Sequence, residues 1–423
     1  MQNSIRIIIA SPMKGRADEL LAGNELGASV DWSMDDRETL DLMIRESDLT
    51  VSLLPYKYHA AVARACLMNR KPLVTTSYVQ EEIKALHGDV KKAGLIFLNE
   101  VGLDPGIDHM SAMKLIDRIH SRGGEVEQFY SLCGALPAPE AIDNPMGYKF
   151  SWSPKGVVLA GLNSAHYLRN GEEIHIDTSD LFKDTFKTGF PGVGELEVYP
   201  NRDSMSYMEI YGIPEVQTIY RGTFRSPGWC ETMDAMKRFG MLSDKVADYS
   251  GQTYSDFLSR MTGVPAGDLR NGVMELLKVS EESAIMRSFD FLGFFSDEKL
   301  SYYETTPFEI TSDRMISKMM LRDDERDMVI LRHDILALWP DGRKEVIRSQ
   351  MTDYGSPSSN TAIASTVALP ASIAVKLILN GQIRTTGVMR PVVAEIYNPV
   401  LEELKTLGIE MQEEYGLPEE ELM

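Results

Sequence analysis

The sequence predicts an α/β protein with an open parallel sheet, and three observations support that class. Over the first hundred residues, short and continuously apolar runs alternate with segments of helical spacing, the pattern of a parallel sheet covered on both faces. The apolar runs lead into proline, glycine or small hydroxyl residues, as at Pro55, Thr75–Ser77 and Gly102–Gly106, where a chain turns from strand to helix. From Glu125 the pattern changes to longer strands, aromatic loops and a methionine-rich helical stretch, which marks a second unit of different design.

Taken in order, Ile5–Ala10 (IRIIIA) reads as a buried strand and Glu38–Glu46 as an acidic helix. Leu49–Leu54 is a strand, Ala60–Met68 a helix, Pro72–Thr75 a strand, Glu81–Ala93 a helix and Gly94–Leu98 a strand. An amphipathic helix follows at His109–His120. Phe129–Cys133 and Leu196–Pro200 read as strands, and the long loop GALPAPEAIDNPMGYKFSWSP is too aromatic for a linker. Glu231 to about Met319 is mostly helical, with Met and Leu at three–four spacing as core. Met328–Arg332, Asp334–Trp339 and Lys344–Asp353 read as antiparallel strands around the PDG turn at 340–342. A small-residue helix, Thr361–Leu379, precedes an acidic tail.

With 423 residues, 43% hydrophobic and 25% charged, the chain is long enough for two or three domains. Its formal net charge of −20 argues against nucleic-acid or anionic-membrane partners, which need basic surface. Three scattered cysteines and no CxxC exclude a disulfide framework or zinc knuckle. No basic stretch with a long apolar run opens the sequence, and no uninterrupted apolar segment nears the ~20 residues of a membrane span. A cytoplasmic location is expected.

Strand–helix alternation normally brings a GxGxxG turn, and residues 1–20 contain none. Ile5–Ala10 is nevertheless followed by Ser11, Lys14 and Arg16, at the position where such domains hold the adenosine ribose. Lys14 and Arg16 suit a 2′-phosphate or a solvated loop. The hydroxyls of VTTSYV (74–79) suit ribose or nicotinamide on one reading and helix capping on the other.

In order along the chain, SLLPYKYH (52–59), VTTSYV, NEVGLDPGIDHMSAMKLID, CGALPAPEAIDNPMGYKFSWSPKGV, YPNRDS (199–204), IYRGTFR (219–225), ERDMVILRH (325–333) and STVALPASIAVKLILNG (365–381) occur. Together they resemble the saccharopine dehydrogenase (L-glutamate-forming), or saccharopine reductase, family over nearly the whole chain. The resemblance implies a Rossmann-like parallel sheet at 1–110, completed by 357–423. It implies a mixed α/β substrate and dimerisation domain at 111–230 and 320–356, with a helical insertion at 231–319. Family members open with a strand, Gly-rich loop and helix ahead of the strand at Ile5. Here that opening is expected to be absent, leaving two neighbouring strands with unpaired edges. Pro12 stands where many NADP-using members carry arginine, so NADP and NAD both remain open.

The implied activity is oxidation of saccharopine at the carbon bearing its secondary amine, then hydrolysis of the imine to glutamate and 2-aminoadipate semialdehyde, in lysine metabolism. No metal is needed. The resemblance places Ser77, Tyr78, Asp104, Arg202, Thr223, Phe224 and Arg225 at the substrate. The arginine forks match its carboxylates, although a lone arginine in an acidic protein is ordinarily a surface ion pair. Tyr78, Asp104 and Cys133 are the titratable candidates for proton transfer, Cys133 being otherwise a small hydrophobe and Asp104 otherwise an N-cap. Asp31, Leu54, Pro55, Thr76, Gly102, Leu103, Asp104, Pro105, Gly106 and Ser153 are the implied cofactor contacts. His109 reads as a structural histidine. A homodimer is expected. Two alternatives stand: a non-catalytic homologue, supported by the absent Gly-rich loop, and a related imine reductase such as carboxynorspermidine dehydrogenase.

Overall fold

In a computed structural model, which describes residues 5–422, the chain forms two compact units. Unit 1 comprises Met1–Gly106 and Pro370–Ile396; unit 2 comprises Ile107–Leu369 and Tyr397–Met423.

Unit 1 is built on parallel strands. β1 (Ile7–Ser11) pairs with β2 (Gly27–Asp31), and β3 (Thr50–Ser52), β4 (Leu73–Thr75) and β5 (Ile96–Leu98) form a second sheet that Gly387–Met389 extends beyond β5. All of these pairings are parallel. Both sheets pack on one apolar cluster, which includes Trp32, Leu40, Val62, Leu73 and Phe97. Among the described residues β1 pairs only with β2, and β3 only with β4. Ile7, Ile8, Val51 and Leu53 are exposed, which agrees with the unpaired edges expected for these two strands.

Unit 2 contains a nine-stranded sheet. Its strands are β6 (Glu125–Pro137), β7 (Ala165–Arg169), β8 (Glu172–Ile176), β9 (Phe186–Phe190), β10 (Gly194–Pro200) and β11 (Thr218–Arg225), then, after the two-residue strands β12 (Ala247–Asp248) and β13 (Glu304–Thr305), β14 (Asp327–Leu338) and β15 (Lys344–Tyr354). With β16 at Gly387–Met389 in unit 1, the last strand is β17 (Gln412–Leu417), and the sheet order is β17-β15-β14-β6-β11-β10-β9. β6 and β11 run parallel, and β7–β8 is a ribbon attached through β11. The helices of 229–319 contribute Trp229, Met233, Phe257, Phe289 and Met315 to the large core of this unit.

Several elements differ from expectation. Met328–Arg332 and Asp334–Trp339 are one strand, β14, because its buried central polar residues find partners: Asp334 accepts both guanidinium bonds of Arg348 at 2.8 Å, and His333 meets Ser111 at 2.7 Å. Glu81–Ala93 is two short helices, Glu81–Lys84 and His87–Lys92. β2 and the helix Lys14–Leu21, absent from the prediction, occupy 14–31; this helix buries only Ala17 and so shows little apolar periodicity. Of 357–423, expected in the dinucleotide unit, only 370–396 lie in unit 1; residues 357–369 and 397–423 lie in unit 2, where β17 pairs with β15 and Lys114 reaches Glu413 at 2.8 Å. The helical segment 231–319 lies within unit 2, in keeping with an insertion into that unit. Among the described residues, Ala362–Leu379 is a helix long and apolar enough to cross a membrane by length and composition. It buries Ala371, Ile373, Ala374 and Leu377, and the Asp327 carboxylate accepts from its Ala362 and Ile363 N–H groups at 2.6 and 3.1 Å.

Candidate active-site residues

In unit 1 the carboxyl ends of parallel strands bring the candidates together. Ligands in open α/β sheets bind at such ends. β3 runs into Leu54–Pro55, β4 into Thr76–Tyr78, and β5 into Asn99–Gly106. The last segment folds back on itself: Gly102 N–H donates to the Pro105 carbonyl at 3.0 Å, and Gly102 bridges Gly106. Gly106 has φ 150°, and a Cβ there would overlap the Gly102 backbone, so only glycine fits. The two glycines therefore make a side-chain-free turn that presents Asp104. The Tyr78 hydroxyl donates to Asp104 Oδ1 at 3.2 Å. Glu100, buried with φ 59°, accepts from Val79 N–H and from Arg390 Nε, both at 2.8 Å, and so anchors the segment carrying Tyr78.

A relay that sequence reading did not single out lies beside these residues. Ser52 Oγ is 2.9 Å from His59 Nδ1, and His59 Nε2 is 2.9 Å from Ser77 Oγ. His59 is the last residue of SLLPYKYH, and its spacing from Ser52 and Ser77 becomes meaningful only once β3 and β4 lie side by side. Burial holds its imidazole pKa below the ordinary 6.5. The proton it would gain on unfolding makes the folded state less stable as pH falls below that value. Thermal midpoints of wild type and His59→Asn measured at pH 7.5, 6.5 and 5.5 are expected to diverge, wild type losing more on acidification. Parallel curves over that range would remove His59 as the cause.

The structure offers a partial fit for a dinucleotide. Hydroxyls at Thr76 and Ser77 and the open turn at Gly102–Gly106 lie at strand ends, and the buried Asn99 Oδ1, just past β5, has no hydrogen-bond partner. That acceptor suits an amide or hydroxyl donor of a ligand. Asp31 ends β2 exposed. Lys14 and Arg16 lie in the first turn of the helix Lys14–Leu21 and bridge Asp18 at 3.0 Å and Glu19 at 2.8 Å. Among the described residues no GxGxxG turn joins a strand to a helix, so the strand ends are the part of a cofactor site that is visible.

In unit 2 the candidates cluster on β11 and its neighbours. Alternation places Arg221, Thr223 and Arg225 on one face of β11, with Cys133 of β6 and Tyr199 of β10 flanking Thr223 directly. Phe224 points to the other face, fully buried, and its carbonyl accepts from Arg225 Nη1 at 2.8 Å. Arg225 is only 4% exposed and is ringed by Tyr148, Trp229 and Tyr199 at 5.0, 5.4 and 5.8 Å. It has no carboxylate partner among the described residues, and its Nε, like Trp229 Nε1, is buried without a hydrogen bond. Cation–π contacts compensate only part of the desolvation of a buried guanidinium. Such a site fits an incoming carboxylate.

Arg202 is placed differently. It is exposed, has φ 56° and follows β10, two residues beyond the Pro200–Gly222 pair, whereas Arg225 pairs with Glu197. The register separates the two arginines by about five residue steps, roughly 16 Å along the ladder, so they suit different carboxylates. Ser153, expected at the cofactor, lies exposed in unit 2, before the helix Pro154–Ala160.

Beneath the same face lies a buried network that sequence reading missed. Asp108 meets Arg221 at 3.3 Å, Arg221 lies 4.2 Å over the Tyr207 ring, and His109 Nδ1 is 2.9 Å from the Tyr211 hydroxyl. His109 is thus packed and bonded, as a structural histidine should be. Asp108 and Arg221 are isolated charges in sequence and become a pair only when the helix Ile107–Ser121 crosses the sheet.

Comparison with known proteins follows the same division. Residues 1–98 match the saccharopine dehydrogenase NADP binding domain, and residues 102–409 the saccharopine dehydrogenase C-terminal domain. The saccharopine dehydrogenase (NADP(+), L-glutamate-forming) of Saccharomyces cerevisiae is 36% identical over 395 residues, covering 91% of this chain and 88% of its own. That of Schizosaccharomyces pombe is 35% identical over 420 residues, covering 96% and 93%. An alpha-aminoadipic semialdehyde synthase of Arabidopsis thaliana is 35% identical over 97% of this chain, which spans 41% of that longer protein. The apo structure of the Saccharomyces cerevisiae saccharopine dehydrogenase (L-Glu forming) superposes with a TM-score of 0.90 at 34% identity, covering 98% of this chain and 95% of the other. With both halves matched in order over nearly their full length, the chain belongs to the saccharopine dehydrogenase family.

Proposed function

We propose that this protein interconverts saccharopine, NADP⁺ and water with glutamate, 2-aminoadipate 6-semialdehyde, NADPH and a proton. The observation that carries the reading is the near full-length match to L-glutamate-forming enzymes across both the NADP binding and C-terminal domains. Leu54–Pro55, Thr76 and Gly102–Gly106 are the residues that would hold the dinucleotide, which when bound would supply the hydride acceptor for the carbon bearing the secondary amine. Everything else falls to the chain's own groups.

Within unit 2, Arg225 supplies a desolvated fork for one substrate carboxylate, while the exposed Arg202 meets a more distal one. Thr223 offers a hydroxyl between Cys133 and Tyr199. Within unit 1, the Tyr78–Asp104 pair handles protons. The amine must lose a proton for the imine to form, and the carbinolamine left by water must lose its hydroxyl proton while the departing nitrogen gains one. A carboxylate accepting from a tyrosine can exchange either proton without a metal. The family resemblance also supports a homodimer and a cytoplasmic location, which light scattering and cell fractionation test.

Purified protein given saccharopine and NADP⁺ is expected to form NADPH, followed at 340 nm, with glutamate released in equal amount. NADPH binding without saccharopine-dependent turnover would favour the non-catalytic reading.

A further inference from the structure

The ribbon β7–β8 carries a cluster unrelated to hydride transfer. His166 and His175 are directly opposed across it, with stacked rings 3.8 Å apart. Glu173 lies two residues before His175, so it shares their face. Its Oε2 is 3.3 Å from His166 Nε2 and 3.8 Å from His175 Nε2. One ligand atom from each of the three residues lies within 4.8 Å of the others. Around a tetrahedral ion with bonds near 2.0–2.1 Å, ligand atoms stand roughly 3.4 Å apart, so the exposed side chains must draw together and the two rings must tilt out of their stack to aim both nitrogens at one ion.

We propose that His166, Glu173 and His175 bind a divalent transition-metal ion of the zinc class. Two imidazoles and one carboxylate suit zinc, cobalt or nickel and are a poor set for magnesium or calcium, which take oxygen ligands. The side chains are 29%, 60% and 68% exposed, which gives an ion an open approach and leaves its fourth position to water. Behind the cluster, Asp203 Oδ1 is 3.6 Å from His166 Nδ1. At that distance the carboxylate is short of a hydrogen bond, but its charge favours a proton on Nδ1, the tautomer that leaves Nε2 to the metal.

The same residue ties the site to the substrate loop. His166 N–H donates to the Arg202 carbonyl at 2.9 Å, and its carbonyl accepts from Ser204 N–H at 2.7 Å. Asp203 in turn accepts from the N–H groups of Met205 and Ser206 at 3.0 and 3.2 Å. A metal held on Nε2 therefore acts on the backbone on either side of Asp203 and on the exposed, left-handed Arg202. Occupancy is expected to change the saccharopine KM and not the cofactor affinity. This second half rests on the proposed function; the binding site itself does not.

The test uses the full chain. Titration with Zn²⁺ against a chromogenic chelator at pH 7.5 is expected to show one equivalent bound, at least tenfold weaker in His175→Ala, with no competition from millimolar Mg²⁺. Co²⁺ is expected to give visible bands of a low-coordinate site that the variant lacks. Unchanged Zn²⁺ binding in His175→Ala, or none in wild type, overturns the site. Without metal the variant is expected to retain wild-type kinetics, and added Zn²⁺ to raise the saccharopine KM of wild type alone. Metal binding in a protein that never turns over saccharopine leaves the site standing and overturns the proposed function. Turnover whose KM ignores bound Zn²⁺ overturns the coupling.

Discussion

Arg225→Met is expected to raise the KM for saccharopine about a hundredfold while leaving NADPH affinity and folding intact. A charge-assisted pair between a buried guanidinium and a carboxylate contributes about 3 kcal/mol, roughly a hundredfold in affinity. The effect on stability has the opposite sense from that of most buried substitutions. Arg225 is 4% exposed without a carboxylate partner among the described residues, so its charge is desolvated and only partly compensated by Tyr148, Trp229 and Tyr199. Replacing it by an apolar side chain of similar length removes that cost. The ligand-free variant is therefore expected to melt at or above the wild-type temperature, and saccharopine is expected to raise the midpoint of wild type alone. Arg225→Lys retains charge but loses the fork and should recover only part of the affinity. A variant that melts many degrees lower, with NADPH binding lost as well, would mark Arg225 as a core residue and end its assignment to substrate.

Asp104→Asn and Tyr78→Phe are expected to lower kcat by roughly 10²–10⁴-fold each, the range for removal of a proton-transfer group. Both substitutions are close to isosteric, and Gly102 N–H to Pro105 carbonyl still closes the turn. NADPH binding should therefore persist. Because the two side chains share one hydrogen bond of 3.2 Å, the double variant is expected to be little worse than the more damaged single one. Fully additive losses would show that the residues act separately. A pH profile of kcat that keeps its wild-type limbs in Asp104→Asn would exclude Asp104 from proton transfer.

The parallel alternation of unit 1 and the antiparallel strands of unit 2 were legible because continuous apolar runs and period-two stretches each have a plain hydrophobic signature. The boundaries that failed did so for identifiable reasons. β14 looked like two strands because Arg332, His333 and Asp334 interrupt its apolar run, and nothing local announces that Gln350, Ser111 and Arg348 will satisfy them. β17 is an acidic edge strand, QEEYGL, with neither apolar alternation nor β-rich composition. Its place is decided by pairing with β15 and by Lys114 and Arg118, the latter 4.1 Å over the Tyr415 ring.

The candidate residues divide in the same way. Local sequence determined the turn at Gly102–Gly106, since backbone crowding at Gly106 admits only glycine, and it determined which motifs carry Tyr78, Asp104 and the β11 arginines. Tertiary structure alone decided that Tyr78 meets Asp104, that His59 links Ser52 to Ser77, and that Asp108 pairs with Arg221. It alone showed Arg225 to be desolvated and Arg202 exposed, though both read as arginines of an acidic protein. Period and turn chemistry are short-range properties that a sequence displays directly. The burial and pairing of a polar group depend on what another segment brings against it.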